Sequence, residues 1–251
     1  MQDRVALVTG GANGIGRAGA LEFVRRGAAV AVVDVDLDAA EQLARQIRAG
    51  GGRALALCAD VTCESAVRQM VERTVAEWGR LDFAFNNAGI LGPLGTALHE
   101  LEQADWDRVL AVDLKGVWLC MKHEIVAMLA GGGGAIVNNS SITGLRAATL
   151  NPAYGAAKHG VVGLTRAAAS YYGPHGIRVN AVCPGIVMTD MTTDIGLQPD
   201  SPSALRIARA PLRRGADADE IARTAVWLCS AEASYLTGIA LPVDGGLSII
   251  A

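Results

Sequence analysis

The chain has 251 residues, of which 51% are hydrophobic and 19% charged, and its formal net charge is −3. That much apolar surface excludes a disordered chain, and the slight acidity excludes a nucleic-acid or anionic-membrane binder held by bulk charge. No apolar run approaches the roughly 18 residues of a membrane-spanning helix.

Short β-branched runs alternate with longer stretches of helical period. The run VALV at 5–8 reads as a buried strand, followed by a helix over 15–26 that ends at Gly27. A second strand covers 29–33 and a second helix 37–49, which the three glycines at 50–52 stop. The third strand is 54–58, and the third helix is 63–78 with Thr62 as its N-cap. A fourth strand at 81–85 precedes one long helical stretch over 105–129 and a glycine turn at 131–134. Then come a strand at 135–138, a helix at 153–172, a strand at 177–182, a helix at 220–230 and a last strand at 239–243. Apolar strands alternating with helices predict a doubly wound parallel α/β sheet of about seven strands with helices on both faces. No linker or repeat interrupts the pattern, so one domain over 1–251 is expected. The least periodic part, 188–217, contains Pro199, Pro202 and Pro211 and is expected to be a substrate lid.

Three motifs carry chemistry. Thr9-Gly10-Gly11-Ala12-Asn13-Gly14-Ile15-Gly16 lies between the first strand and the first helix. Glycines there let backbone N–H groups approach a pyrophosphate at a helix N-terminus, although the spacing departs from G-x-G-x-x-G. Asp34 follows at the end of the second strand, where a carboxylate can hold the adenosine ribose hydroxyls and repel a 2′-phosphate. Neither Asn13 nor Val35 supplies a compensating cation, so NAD is favoured over NADP.

The second motif is Tyr154-Gly-Ala-Ala-Lys158, which places a phenol and an ammonium on one helix face. A free phenol, with a pKa of about 10, is too weak an acid to serve as a base at neutral pH. A nearby lysine and an oxidised nicotinamide would bring that pKa down. The third motif, Asn138-Asn139-Ser140-Ser141, leaves the fifth strand at the sheet edge where ligands bind. Ser141 is the candidate to stand beside the phenol, with Ser140 its competitor.

Taken with Asp60-Val61, Asn86-Asn87-Ala88-Gly89 and Pro184-Gly185-Ile186-Val187-Met188-Thr189, these motifs occur in an order that resembles the short-chain dehydrogenase/reductase family. The resemblance spans essentially the whole chain. It implies that Tyr154 is the general acid/base for hydride transfer, that Lys158 lowers its pKa and holds the nicotinamide ribose, and that Ser141 orients the substrate oxygen. It also implies that Gly10, Asn13, Gly14, Ile15 and Gly16 bind the diphosphate. Asp60 and Val61 would contact adenine, Asn87, Ala88 and Gly89 the adenosine ribose and central pocket, and Val187 and Thr189 the nicotinamide carboxamide after the Pro184-Gly185 turn. For Asn86 the alternative is a tie between neighbouring strands.

One departure from the family pattern is Asp113, where members often carry an asparagine whose bent backbone positions a water leading to the lysine. The favoured reading is that the backbone carbonyl does that work, so aspartate serves equally and Asp113→Asn leaves turnover within a few-fold; the alternative is that the side-chain amide matters, which breaks the relay through this residue.

The remaining residues receive plainer readings. The five scattered cysteines and the absence of a signal-peptide layout at MQDRVALVTG fit free thiols in a reducing cytoplasm, with no metal site. The four histidines share no ligand spacing, and the four tryptophans read as helix-face packing groups. Arg206, Arg209, Arg213 and Arg214 read as a solvated face, and Arg146 is a lesser candidate for a substrate carboxylate. The segments expected around the reacting carbon favour a neutral secondary alcohol or ketone. Alternatives are a 3-oxoacyl-carrier-protein reductase-like enzyme and, from a different class, a non-catalytic dinucleotide-binding or scaffold protein. The tail from Ser234 through Gly246 resembles the subunit-contact region of tetrameric relatives and implies a homotetramer.

Overall fold

The computed structural model describes residues 1–147, 151–189, 192 and 201–250. Its centre is a parallel sheet whose strands are β1 (Val5–Thr9), β2 (Ala29–Asp34), β3 (Ala54–Cys58), β4 (Phe83–Asn86), β5 (Gly134–Asn139), β6 (Ile177–Pro184) and, named out of sequence because it closes the sheet, β9 (Ala240–Val243). The spatial order is β3-β2-β1-β4-β5-β6-β9, with every neighbouring pair parallel. The expected doubly wound sheet of seven strands is therefore present. Its order reverses between β1 and β4, and the crevice beyond their carboxyl ends is where such a sheet receives ligands.

The strands are buried on both faces, and their side chains divide with a period of two. Val5 and Leu7 pack with α3 (Glu64–Trp78), α5 (Val117–Ala130) and α6 (Pro152–Tyr172). Ala6 and Val8 pack on the opposite face with α1 (Gly14–Arg25), α2 (Leu37–Ala49) and α8 (Ala218–Cys229). Each strand thus closes two cores at once, which is why apolar runs rather than apolar–polar alternation encode them.

Local chemistry fixes several boundaries. Asp36 caps α2 by accepting the Ala39 amide at 3.0 Å, and Gly27, at φ +88°, turns the chain out of α1 as expected. The cap of α3 differs from expectation. Cys63 occupies that position without a side-chain capping bond, because Asp60 Oδ1 accepts both the amide and the hydroxyl of Thr62 at 2.8 Å.

The stretch expected as one helix is also divided. It consists of α4 (Gln103–Leu110), a π-helical turn over Ala111–Gly116, and α5. Over 201–217 the chain is more regular than its composition suggests. Ser201 caps a short helix α7 (Pro202–Arg209) with Pro202 in its first turn, and the strand pair β7 (Val187–Met188) and β8 (Ala216–Asp217) brackets the segment. Pro199 and the rest of 193–200 lie outside the described residues. Three of the tryptophans pack on the cores as expected. Trp118 instead lies at the surface, with the Lys122 ammonium 5.6 Å from its ring centre.

Candidate active site

A cleft of about 780 Å³ opens along the carboxyl edge of the sheet. The glycine-rich turn forms one end of it. Gly10 and Gly14 stand at φ +58° and +51°, a conformation that costs a residue with a Cβ. A Cβ on Gly10 would come within 2.9 Å of Ala88 Cα. Asn13, the residue before α1, makes no side-chain cap, and the first turn carries no acidic residue, which leaves its amides suited to an anion. A Cβ on Gly14 would project towards the Thr189 methyl at 3.4 Å, so the missing side chain keeps the cleft open between α1 and β7. This cradle fits a dinucleotide diphosphate.

Asn13, Gly14, Ile15, Asp34, Asp60, Val61, Asn87, Ala88, Gly89, Pro184, Gly185, Val187 and Thr189 all line the same cleft. Two of the expected site residues do not. Gly16 sits behind the turn, where a Cβ would lie 1.9 Å from Gly10 O, so its contribution is close packing. Asp113 is fully buried beneath the cleft. Asp34 at the end of β2 accepts the Ala12 amide at 3.0 Å, which orients its carboxylate at the glycine turn. Asn87 braces that turn from β4, its Nδ2 donating to Thr9 O at 3.2 Å and Gly10 O at 3.0 Å. Thr9, which carries no role in the sequence reading, accepts the amides of Asn87 and Ala88 through its hydroxyl.

The other end of the cleft collects the proton-handling groups. Asn151 caps α6 by accepting the Tyr154 amide at 2.9 Å, and its Nδ2 donates to Leu91 O. This cap together with Pro152 fixes where α6 begins, and so places Tyr154 in the first turn and Lys158 one turn later. The Lys158 ammonium lies 5.2 Å from the Tyr154 ring centre. It also donates to Asn139 O at 3.0 Å and meets Asp113 Oδ2 at 3.3 Å. Asp113 Oδ1 in turn accepts the Ile90 amide at 2.8 Å. The π-helical turn thus directs the Asp113 side chain itself towards the lysine.

Ser141 and Ser140 separate cleanly. Ser140 is tied to the helix, donating to Lys158 O at 3.0 Å, whereas Ser141 lines the cleft with its hydroxyl beside the phenol. Asn86 adopts its alternative role. Its Nδ2 bridges Glu124 Oε2 and Asn138 Oδ1, both at 3.0 Å, below the cleft.

The electrostatics differ in one respect from the sequence reading. In the protein alone, burial pushes the Tyr154 phenol above its ordinary pKa, against the downward pull of Lys158 and Ser141. The lysine therefore offsets a desolvation cost. Burial works against the Lys158 ammonium as well, but Asp113 and Tyr154 outweigh it and hold the amine charged.

Other basic groups serve elsewhere. Arg146 donates to Leu247 O and Ile250 O and so fastens the loop after Ser141 to the chain's last turn, away from any substrate carboxylate. Arg206, expected on a solvated face, is the exception, since it is half-buried and lines the cleft, whereas Arg214 does lie at the surface, paired with Glu220. No cluster of three metal-ligand side chains exists among the described residues.

A family model described as enoyl-(acyl carrier protein) reductase, of the short-chain dehydrogenase type, matches residues 10–248. The chain is a short-chain dehydrogenase/reductase. This family uses a nicotinamide dinucleotide. It is 45% identical to cis-4-hydroxycyclohexanecarboxylate dehydrogenase of Sinomonas cyclohexanicum, over 99% of this chain and 98% of that one. It is 40% identical to cyclohexanol dehydrogenase of an Acinetobacter species, over 97% and 94%. The crystal structure of levodione reductase covers the whole of both chains with a TM-score of 0.94 at 37% identity. An oxidoreductase of the alcohol and ketone class follows.

Proposed function

We propose that this short-chain dehydrogenase/reductase is an NAD-dependent enzyme that interconverts a neutral secondary alcohol and its ketone, with Tyr154 as general acid/base. The observation that carries the reading is the placement of Ser141, Tyr154 and Lys158 at one end of a cleft whose other end is a glycine cradle. When bound, the dinucleotide supplies the hydride acceptor or donor. The Ser141 hydroxyl orients the substrate oxygen, and Tyr154 takes the proton from the alcohol as phenolate in oxidation or gives one as phenol in reduction. Lys158 stabilises that phenolate, and the buried Asp113 carboxylate keeps the lysine charged. Asp113 acts through its neighbour and is a positioning residue.

The preference for NAD rests on Asp34, whose carboxylate would oppose a 2′-phosphate. A cyclic substrate is favoured by the apolar wall of Ile90, Leu91, Leu94, Ile142 and Ile186 and by the ring-bearing substrates named for the cyclohexanol and hydroxycyclohexanecarboxylate relatives. α7, which lends Ser203 and Arg206 to the cleft wall, is read as part of a substrate cover within one catalytic domain. Apolar side chains exposed on α5 and the tail, among them Val126 and Ile249, fit a homotetramer, and a cytoplasmic enzyme agrees with the five free thiols.

The test is a screen of cyclic, aromatic and aliphatic secondary alcohols with NAD and with NADP. Turnover of cyclic alcohols with NAD, and a narrowed preference between the dinucleotides in Asp34→Ala, are expected. Dinucleotide binding without turnover on any panel would instead support a non-catalytic binding protein.

A further inference from the structure

Beneath the cleft, on the side away from any substrate, lies a buried polar chain that the chemistry above does not use. Glu124 on α5 is 0% exposed, and Asn86, Asn138 and Thr165 around it are as deeply buried. Asn86 Nδ2 donates to Glu124 Oε2 and to Asn138 Oδ1. Asn138 Nδ2 donates to Thr165 Oγ1 at 3.0 Å, and the Thr165 hydroxyl donates to Val161 O at 2.8 Å. The chain therefore runs from α5 through β4 and β5 to α6. At each strand it touches the residue next to a working group. Asn87 follows Asn86 and braces the glycine turn, while Asn139 follows Asn138 and gives its carbonyl to Lys158. Thr165 lies two helical turns after Lys158.

Two atoms in this chain have no partner, namely Asn86 Oδ1 and Glu124 Oε1. Both are acceptors if Glu124 is ionised, and a buried carboxylate with one hydrogen bond and no cation is costly. One proton on Oε1 removes the difficulty. A neutral acid accepts from the Asn86 amide with one oxygen and donates to the Asn86 carbonyl with the other, closing a ring of two hydrogen bonds.

We propose that Glu124 is a positioning residue held as the neutral carboxylic acid, which locks Asn86 and Asn138 and so fixes α6 against the strands that carry the cofactor turn. Burial, offset in part by Asn86, moves its pKa to about 8. The titratable groups that sense it are Cys120, one turn earlier on α5, and, across the sheet, Cys229 at the end of α8. Burial raises both thiols, Cys229 to about 12, and neither thiol nor thiolate carries positive charge, so no cation stands against Glu124 from either. The native state holds a proton that the unfolded chain releases near the ordinary carboxylate pKa. Stability therefore falls as pH rises from that value to about 8.

Glu124→Gln tests this, because an amide donates and accepts as the neutral acid does but cannot ionise. The variant is expected to fold, to keep kcat within about threefold, and to lose the wild-type decline in Tm between pH 5.5 and 8.5. The infrared band of a protonated carboxylic acid, present in the wild type at pH 6.5, is expected to vanish in the variant. Glu124→Leu removes the ring and is expected to lower kcat at least tenfold with the KM for alcohol little changed, an effect that Gln at the same position does not reproduce. Coincident Tm–pH curves for wild type and Glu124→Gln, a missing infrared difference, or failure of Glu124→Gln to fold would overturn the proposal. The kcat comparison rests on the proposed oxidoreductase reading, whereas the Tm and infrared measurements stand if that reading fails.

Discussion

Lys158→Met tests the electrostatic core of the proposed chemistry. At 5.2 Å from the Tyr154 ring centre, a unit charge in surroundings of effective dielectric about 20 stabilises a phenolate by about 3 kcal/mol, or roughly two pKa units. Removing it leaves the burial that already raises the phenol unopposed except by Ser141. The apparent pKa governing alcohol oxidation should move up by about two units, and kcat/KM at neutral pH should fall by about a hundredfold. The single variant also strands the Asp113 carboxylate, fully buried and deprived of its 3.3 Å partner, at a stability cost of about 3–5 kcal/mol. The double variant Asp113→Asn, Lys158→Met removes both charges. Asp113 itself raises the phenol pKa, so the double variant should be more stable than the single one, with an apparent pKa between it and wild type. The assay is the pH–rate profile of NAD-dependent oxidation at saturating dinucleotide, alongside Tm. Profiles that coincide for wild type and Lys158→Met would refute the reasoning.

Tyr154→Phe should abolish turnover, a loss of at least about a thousandfold, while leaving the dinucleotide Kd within a few-fold by fluorescence titration. Gly16→Ala should destabilise the turn by about 1–3 kcal/mol and weaken dinucleotide binding more than tenfold, because its Cβ has no room beside Gly10 O; an unchanged Kd would contradict the packing role. Asp82→Asn addresses acid stability. Burial alone would raise this carboxyl, but Arg80, the Val5 amide and Arg4 hold it below the ordinary carboxylate range. A depressed carboxyl contributes stability above its unfolded pKa, lost as pH falls through its folded one. The variant should therefore lose about 1–3 kcal/mol at neutral pH and show a shallower acid limb in a Tm–pH series.

Much of this was readable because the decisive signals are local. Apolar strands buried on both sides, a glycine turn before a helix and a tyrosine four residues before a lysine each declare themselves in a short window. Contacts between distant segments do not. Glu124 looks like one more helix carboxylate until β4 and β5 deliver Asn86 and Asn138 to it. Arg146 looks free to meet a substrate until residues 247–250 return to it with their carbonyls. Helix α7 was obscured because Pro202 and the prolines on either side of the helix read as irregularity, although Ser201-Pro202 is a capping pair. The sequence did not show how far Asp113 would be buried or that its side chain would meet the lysine. That depends on the π-helical turn, and one extra residue per turn leaves no clear mark in hydrophobic periodicity.

The turn at Ala111–Gly116 also restricts how this chain can shorten over evolutionary time. Deleting one residue there would restore ordinary α-helical winding, and the tighter turn would make up the roughly 100° that the lost residue spanned, so α4 would keep its rotation relative to α5. Val109, buried against Ala153 and Ala157 at the start of α6, would keep its seat, but the acid that the wide turn aims at the lysine would lose that aim. An indel within α4 or α5 would instead turn one end of this helical arm against the other by about 100°, whereas at the wide turn the loss would fall on the proton-handling end of the cleft alone.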